Sequence, residues 1–235
     1  MSAWFEKLHE TFIESGLFYL IPEGFRNTII ITLGALCIGV FIGTLIAVIK
    51  YFDEDTPALK PLVKLCDFYI TVIRGIPMVV LLLIFYYIIL VRSDGVVVGI
   101  IAFGINSGAY MAELIRSGLN AVDRGQMEAG RSLGLSKLQC TSRIILPQAV
   151  RYILPAIGNE LIALLKETSV AGYVAIVDLT RGINLIRNNT HDIYNTLIAL
   201  ALVYLVLVVI LSNIIRFLER RLKNRDKSRK AAKKL

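Results

Sequence analysis

Two long stretches of the chain carry no charged residue: residues 28–49, a run of 22, and residues 193–215, a run of 23. About 20 apolar residues in a helix cross the ~30 Å hydrocarbon layer of a bilayer. Residues 95–112 add 18 more without charge, and the apolar pattern continues past Glu113 to about 119. Two further apolar stretches are interrupted. Residues 59–91 contain Arg74 and Pro77, and residues 150–170 contain Pro155, Glu160, Lys166 and Glu167. Charge at membrane depth is costly, so such helices face a protein interior or an aqueous cavity. Proline is tolerated there because neighbouring groups satisfy the freed carbonyl. The pattern predicts an all-α integral membrane protein with five transmembrane helices, at about 28–49, 59–91, 95–119, 150–170 and 193–215.

Residues 1–24 read differently. Trp4, Phe5, Leu8, Phe12, Ile13, Leu17 and Phe18 alternate at helical spacing with Glu6, Lys7, His9, Glu10 and Glu14. This is an amphipathic segment without a cleavable-signal pattern, either lying on the membrane surface or forming a solvated terminal helix.

Charge sets the orientation. The net charge is +8, and residues 216–235 alone hold ten Lys/Arg against two Asp/Glu. With that tail inside, segments 50–64, 122–151 and the tail carry 18 Lys/Arg, against five in segments 1–27, 92–96 and 171–192. Cytoplasmic loops hold the excess of Lys/Arg, so the N terminus is expected outside and the C terminus inside. The basic tail, 219–235, follows an apolar span directly. It reads as a cytoplasmic anchor meeting anionic membrane lipid, not as a nucleic-acid patch.

Composition agrees: 56% of residues are hydrophobic and mean hydropathy is +0.67, above the ~45–50% apolar share of soluble domains. No metal site is expected, because Cys37, Cys66 and Cys140 fit no ligand spacing and His9 and His191 lie far apart. No HExxH, GxSxG or Cys/His constellation points to an enzyme. The chain also lacks the GxxxxGK[ST] phosphate loop, so it is not expected to cradle nucleotide itself.

The connection over residues 122–147 is rich in capping signals. Asp123 is placed to cap a short helix that ends before Gly134, and Ser136 to cap a second, with Gln139 completing a capping box. Pro147 is expected to limit that second helix. The result is a compact helical hairpin. Along the first span, Gly39 and Gly43 form a GxxxG pair suited to close packing, within one subunit or between subunits.

The same connection carries a family resemblance. Glu128-Ala129-Gly130, three residues, Gly134, nine residues, Ile144, one residue and Leu146-Pro147 is similar to the EAA loop of ABC-importer permeases, with Gly130 in place of the second alanine. Arg74-Gly75-Ile76-Pro77 resembles the RGTP segment of polar amino-acid permeases. Residues 110–116 (YMAELIR), Gly125-Gln126, Leu146-Pro147-Gln148-Ala149, residues 164–169 (LLKETS) and Leu179-Thr180-Arg181 also resemble that family's motifs. Leu81 departs from the glutamine common after RGTP, which leaves the substrate-side chemistry of the second span open. The likeness covers about residues 25–215 of a transmembrane domain expected over 25–218.

The resemblance implies a type I importer fold and a permease subunit that moves a polar amino acid across a bacterial cytoplasmic membrane. It implies separate ABC ATPase subunits, which bind ATP and Mg, docked on the 122–147 loop. It also implies a second permease subunit, the same or a related chain, and an extracytoplasmic binding protein. Glu128, Ala129, Gly130, Gly134, Ile144 and Pro147 become the candidate docking residues. A secondary transporter with its own ion-coupling site is the alternative; the short chain without inverted repeats weighs against it.

An amino-acid zwitterion needs an anionic and a cationic partner in a low-dielectric pocket. Arg74, Asn159 and Glu160 lie nearest mid-span and are the substrate-pathway candidates, with the helix after Pro155 and Gly158 expected to be irregular. The other reading of Arg74 is a structural pair with a carboxylate. Glu113 and Arg116, at i and i+3, are expected to pair with each other.

Overall fold

A computed structural model of the protein describes residues 2–53 and 57–232. Met1, residues 54–56 and the last three residues of the expected basic tail lie outside the described residues. Everything regular among those described is helical. The order is α1 (Ser2–His9), α2 (Leu20–Phe52), α3 (Lys60–Gly75), α4 (Met78–Ile84), α5 (Gly95–Asn120), α6 (Arg124–Ser132), α7 (Lys137–Cys140), α8 (Leu146–Glu167), α9 (Leu179–Thr190) and α10 (Ile193–Ala232). Single π turns follow α1, α4 and α7.

The centre of the fold is the pair α2 and α5. Lipid tails are as apolar as leucine, so helices in a bilayer associate by close packing of small residues. On α5, Gly99, Ala102, Gly104, Ser107, Gly108, Ala109 and Ala112 are buried. On α2, a β-carbon at Gly43 would stand 2.4 Å from the Met111 β-carbon, and one at Gly39 would stand 2.7 Å from Ser107 Oγ. The GxxxG pair therefore packs against α5 inside this subunit. Ile31, Ala35, Leu82, Ala102, Phe103 and Leu164 close the core on one side of this pair. Ala47, Met111, Ile115, Leu119, Ile145 and Ala149 close it towards the 122–147 hairpin.

Among the described residues, three helical segments are long and apolar enough to cross a membrane: Leu20–Phe52, Gly95–Asn120 and Ile193–Arg221. The stretch expected as one span over 59–91 is instead two helices bent by 105°. Ile76, ahead of Pro77, is extended (φ −100°, ψ 127°), because the proline ring disfavours helical geometry in the residue before it. The other interrupted stretch corrects an expectation. Helix α8 runs unbroken through Pro155 to Glu167, so no unwound backbone is offered beside Asn159 and Glu160. Its irregularity lies upstream, in the π turn Thr141–Ile145.

Helix α9 is fastened to the start of α2. Asn27 Nδ2 donates to the Val177 carbonyl at 2.8 Å, and the Leu179 amide donates to Thr28 Oγ1 at 3.1 Å. Asp178 caps α9, accepting from the Thr180 and Arg181 amides at 3.0 and 2.9 Å. The amphipathic N-terminal segment is not free-standing. Thr11 is buried and donates to Asp192 Oδ2 at 2.7 Å, at the turn between α9 and α10. Phe12 and Leu17 pack on Leu20, Ile183 and Ile186.

Candidate docking hairpin and membrane-depth polar groups

The hairpin grows out of the end of α5. Asp123 Oδ1 accepts from the Gly125 amide at 2.7 Å and starts α6. The helix ends in paired bonds: the Leu135 amide reaches the Gly130 carbonyl at 3.2 Å and the Gly134 amide reaches the Arg131 carbonyl at 3.0 Å. Gly134 between them has φ +81°, a left-handed conformation that glycine adopts without steric cost. Ser136 and Gln139 then form the expected capping box, with bonds of 3.2 and 2.9 Å. Pro147 does not end the second helix. The chain passes from α7 through the π turn into α8, and the Leu146 amide bonds back to Thr141. Proline is accommodated because it sits in the first turn of α8, where its missing N–H falls beside the π-type bonding.

The candidate docking residues divide between two environments. Glu128, Ala129, Gly134 and Pro147 are exposed, whereas Gly130 is buried and Ile144 half-buried. A β-carbon at Gly130 would lie 2.3 Å from Cys140 Sγ and 3.1 Å from Ile144 Cδ1. The glycine therefore brings α6 against the segment that follows it. Sequence reasoning missed two other residues. Leu133, just past the end of α6, and Leu138, in α7, are 82% and 66% exposed at the turn. Their signal was available: a leucine flanking a turn glycine in a connection with little core to enter. The base of the hairpin is rigid, with Val122, Met127, Ile145 and Ala149 joining the α5 cluster.

The polar groups expected at membrane depth form two separate contacts on α5. Arg74 pairs with Glu113, and its guanidinium lies 5.0 Å from the Tyr110 ring centre. Glu113 thus pairs across helices with Arg74, not with Arg116 as its spacing suggested. Glu160 accepts from Ser107 Oγ at 2.9 Å. Ser107 and Glu113 are six residues apart, about 9 Å along the helix and about 120° around it. The structure therefore does not join Arg74 to Glu160. Asn159 is exposed on the turn beside Glu160. Ser107 was not singled out by sequence, and Tyr110 entered only as part of the 110–116 resemblance.

The comparisons with known proteins settle the family. The profile of the binding-protein-dependent transport system inner membrane component matches residues 39–224. The chain belongs to that family. A putative glutamine transport system permease protein GlnP of Rickettsia conorii is 36% identical over 208 residues, covering 87% of this chain and 93% of the relative. The arginine transport system permease protein ArtQ of Bacillus subtilis is 35% identical over 210 residues, covering 88% and 94%. A crystal structure of an amino acid ABC transporter with histidines superposes with TM-score 0.78 at 37% identity, over 87% of this chain and 94% of that one. An inward-facing MetNI methionine ABC transporter chain, 20% identical with TM-score 0.73, shares the fold over 88% of this chain and 98% of its own. This permease is therefore an integral component of a bacterial cytoplasmic membrane and of an ABC importer, and hydrolysis of ATP belongs to a separate subunit of such a system.

Burial pushes Asp178 up to about 6, against the pull of its bonds from Arg181 and Thr180.

Proposed function

We propose that this permease carries a polar amino acid, with five spans, an outer N terminus and an inner C terminus. In this reading α8 is the fourth span and the bent pair α3 and α4 is the second. ABC ATPase subunits grip the 122–147 hairpin from the cytoplasm, a second permease subunit completes the pathway, and an extracytoplasmic binding protein delivers the substrate. The single observation that supports docking most is the hairpin itself. It is braced at its base by Val122, Ile145 and Ala149 yet presents Leu133 and Leu138 bare at its tip. A rigid cytoplasmic projection with uncovered leucines fits an apolar socket on a partner. Ala129, Gly134 and the Glu128 carboxylate flank that tip, while Gly130 and Ile144 hold its shape.

The amino-acid assignment draws on relatives named as glutamine and arginine permeases. Arg74, Asn159 and Glu160 remain the substrate-pathway candidates. Of these, Glu160 fits best, because a half-buried carboxylate with one hydroxyl donor suits a substrate ammonium. Arg74 is already paired. The deciding experiment reconstitutes the permease with its ATPase and binding protein in liposomes and measures uptake and substrate-stimulated ATP hydrolysis across a panel of amino acids. Stimulation by none of them would overturn the substrate class; hydrolysis that stays coupled after Leu133→Glu would overturn the docking surface.

A further inference from the structure

Between the hairpin and the inner ends of α2 and α5 lies a recess of about 540 Å³. Arg116 reaches it from α5, Arg124 and Arg131 from α6, Lys50 from α2 and Lys137 from α7. The carboxylates in its lining are Asp123 and Glu128, so cations exceed anions by five to two. Asp123 is already engaged by the Gly125 amide. Glu128 stands between Arg124 and Arg131 at helical spacings of four and three, where its charge is offset locally.

The cations are not equivalent. Lys50 pairs with Asp67, Arg131 donates to the Leu135 carbonyl at 3.1 Å, and Lys137 sits 5.5 Å from the Tyr51 ring centre. Arg116 and Arg124 make no ion pair or hydrogen bond among the described residues. The recess also has a defined depth. Lys50 is the first charge after the apolar run of α2, and Arg116 lies one turn before the end of α5. On the proposed topology, that level is close to the cytoplasmic boundary of both spans. The tip leucines Leu133 and Leu138 do not line it, whereas the docking candidate Glu128 does, so a partner gripping the leucines borders the recess on its Glu128 side.

We infer that this recess binds the phosphate of an anionic phospholipid of the cytoplasmic leaflet, with Arg116 and Arg124 as its ligands. The inference rests on the cytoplasmic placement of the hairpin. A guanidinium presents a planar fork that fits two phosphate oxygens. Basic pockets between membrane helices on the cytoplasmic side take acidic headgroups. A zwitterionic lipid brings the same phosphate with its own cation, which a net-positive recess repels. The lipid would couple hairpin and spans through one headgroup.

The test uses the permease assembled with its ATPase subunits in detergent. Thermal unfolding is followed while short-chain phosphatidylglycerol, short-chain phosphatidylcholine or inorganic phosphate is added, and retained lipid is counted by native mass spectrometry. Phosphatidylglycerol is expected to raise Tm and stay bound, with phosphatidylcholine inert. The Arg116→Gln/Arg124→Gln variant should need an about tenfold higher lipid concentration for the same shift, as expected for loss of charge-assisted contacts, while the ATPase still co-purifies. An equal shift from inorganic phosphate would make this a site for soluble anions and overturn the lipid. No shift in the wild type, or an unchanged shift in the variant, overturns the site. Loss of the ATPase with lipid retention intact assigns the recess to the ATPase instead, and also overturns it. Should the glutamine pair fail to fold, Arg116→Lys/Arg124→Lys keeps the charge without the fork; a wild-type lipid response there overturns the role of the guanidinium groups. Failure of the docking reading shows separately, as Leu133→Glu retaining the ATPase.

Discussion

Arg74 at the end of α3 and Glu113 on α5 form an ion pair at the 105° break between α3 and α4. The pair fixes the point where the chain changes direction between α3 and α4. Its side chains are 39% and 49% exposed, an arrangement unsuited to lipid at this depth and suited to an aqueous pathway or a second subunit. A fully exposed pair contributes ~0–1 kcal/mol, and breaking a buried one costs ~3–5 kcal/mol. Half exposure puts the loss for Glu113→Gln between these, at about 1–2 kcal/mol. Thermal unfolding of the assembled transporter should register it. Arg74→Glu with Glu113→Arg should recover part of the loss, and a double-mutant cycle without coupling would remove the pair as a brace.

The hairpin gives two substitutions with opposite signatures. Gly130→Leu forces a side chain where a β-carbon would already be 2.3 Å from Cys140 Sγ. Overpacking of that kind costs ~1–3 kcal/mol, and Cys140→Ala should relieve part of it. Leu133→Glu alters a side chain that is 82% exposed, so its effect on stability should stay within ~0.5 kcal/mol. Its effect on ATPase co-purification should nevertheless be large. Normal co-purification with Leu133→Glu would exclude the tip as the grip.

These residues also show what the sequence could and could not disclose. Asp123, Gly134, Ser136 and Gln139 act through bonds to backbone atoms a few residues away, so spacing alone revealed them. The charge-free runs at 28–49, 95–112 and 193–215 were likewise legible, because the bilayer reads length and composition directly. Partners far apart in sequence were not. Glu113 has a cation three residues away at Arg116, and only the fold of α3 against α5 brings Arg74 closer. Gly130 looked like a surface glycine because its contacts, Cys140 and Ile144, become neighbours only when the hairpin closes. Pro155 and Pro147 look alike as helix breakers. The structure distributes the disruption elsewhere, into a π turn and into the break before Pro77.

Asp178 should make stability depend on pH. Its carboxyl is fully buried and held up to about 6, above the ordinary aspartate value of 3.8. The native state therefore keeps a proton that the unfolded state has released between those values. Stability from this group is fully present below about 4, falls as pH rises towards 6, and is flat above that. A displacement of that size corresponds to about 3 kcal/mol. It is bonded by the Arg181 and Thr180 amides, and Tyr204 of α10, which shares a 3.1 Å contact with Thr180, lies close enough to feel its charge. Asp178→Asn keeps a capping oxygen without the titration. Melting of the variant in detergent should lose the wild type's decline between pH 4 and 6. An identical profile would show that other groups set it.

Glu160 offers the sharpest test of the pathway, because its hydrogen bond from Ser107 joins α8 to the central helix. If the carboxylate meets the substrate ammonium, Glu160→Gln should lower uptake at a saturating level of binding protein, while assembly and basal ATP hydrolysis stay normal. Ser107→Ala removes one donor and leaves the charge. A hydrogen bond to a charged group contributes ~1.5–3 kcal/mol, so that variant should shift the apparent affinity by about ten- to a hundredfold if the bond positions Glu160 for substrate. A purely structural bond would appear differently, as a lower Tm in both variants with unchanged apparent affinity. Wild-type rate and affinity in Glu160→Gln would take this residue out of the pathway and leave Asn159, one position earlier on the exposed side of α8, as the group to test.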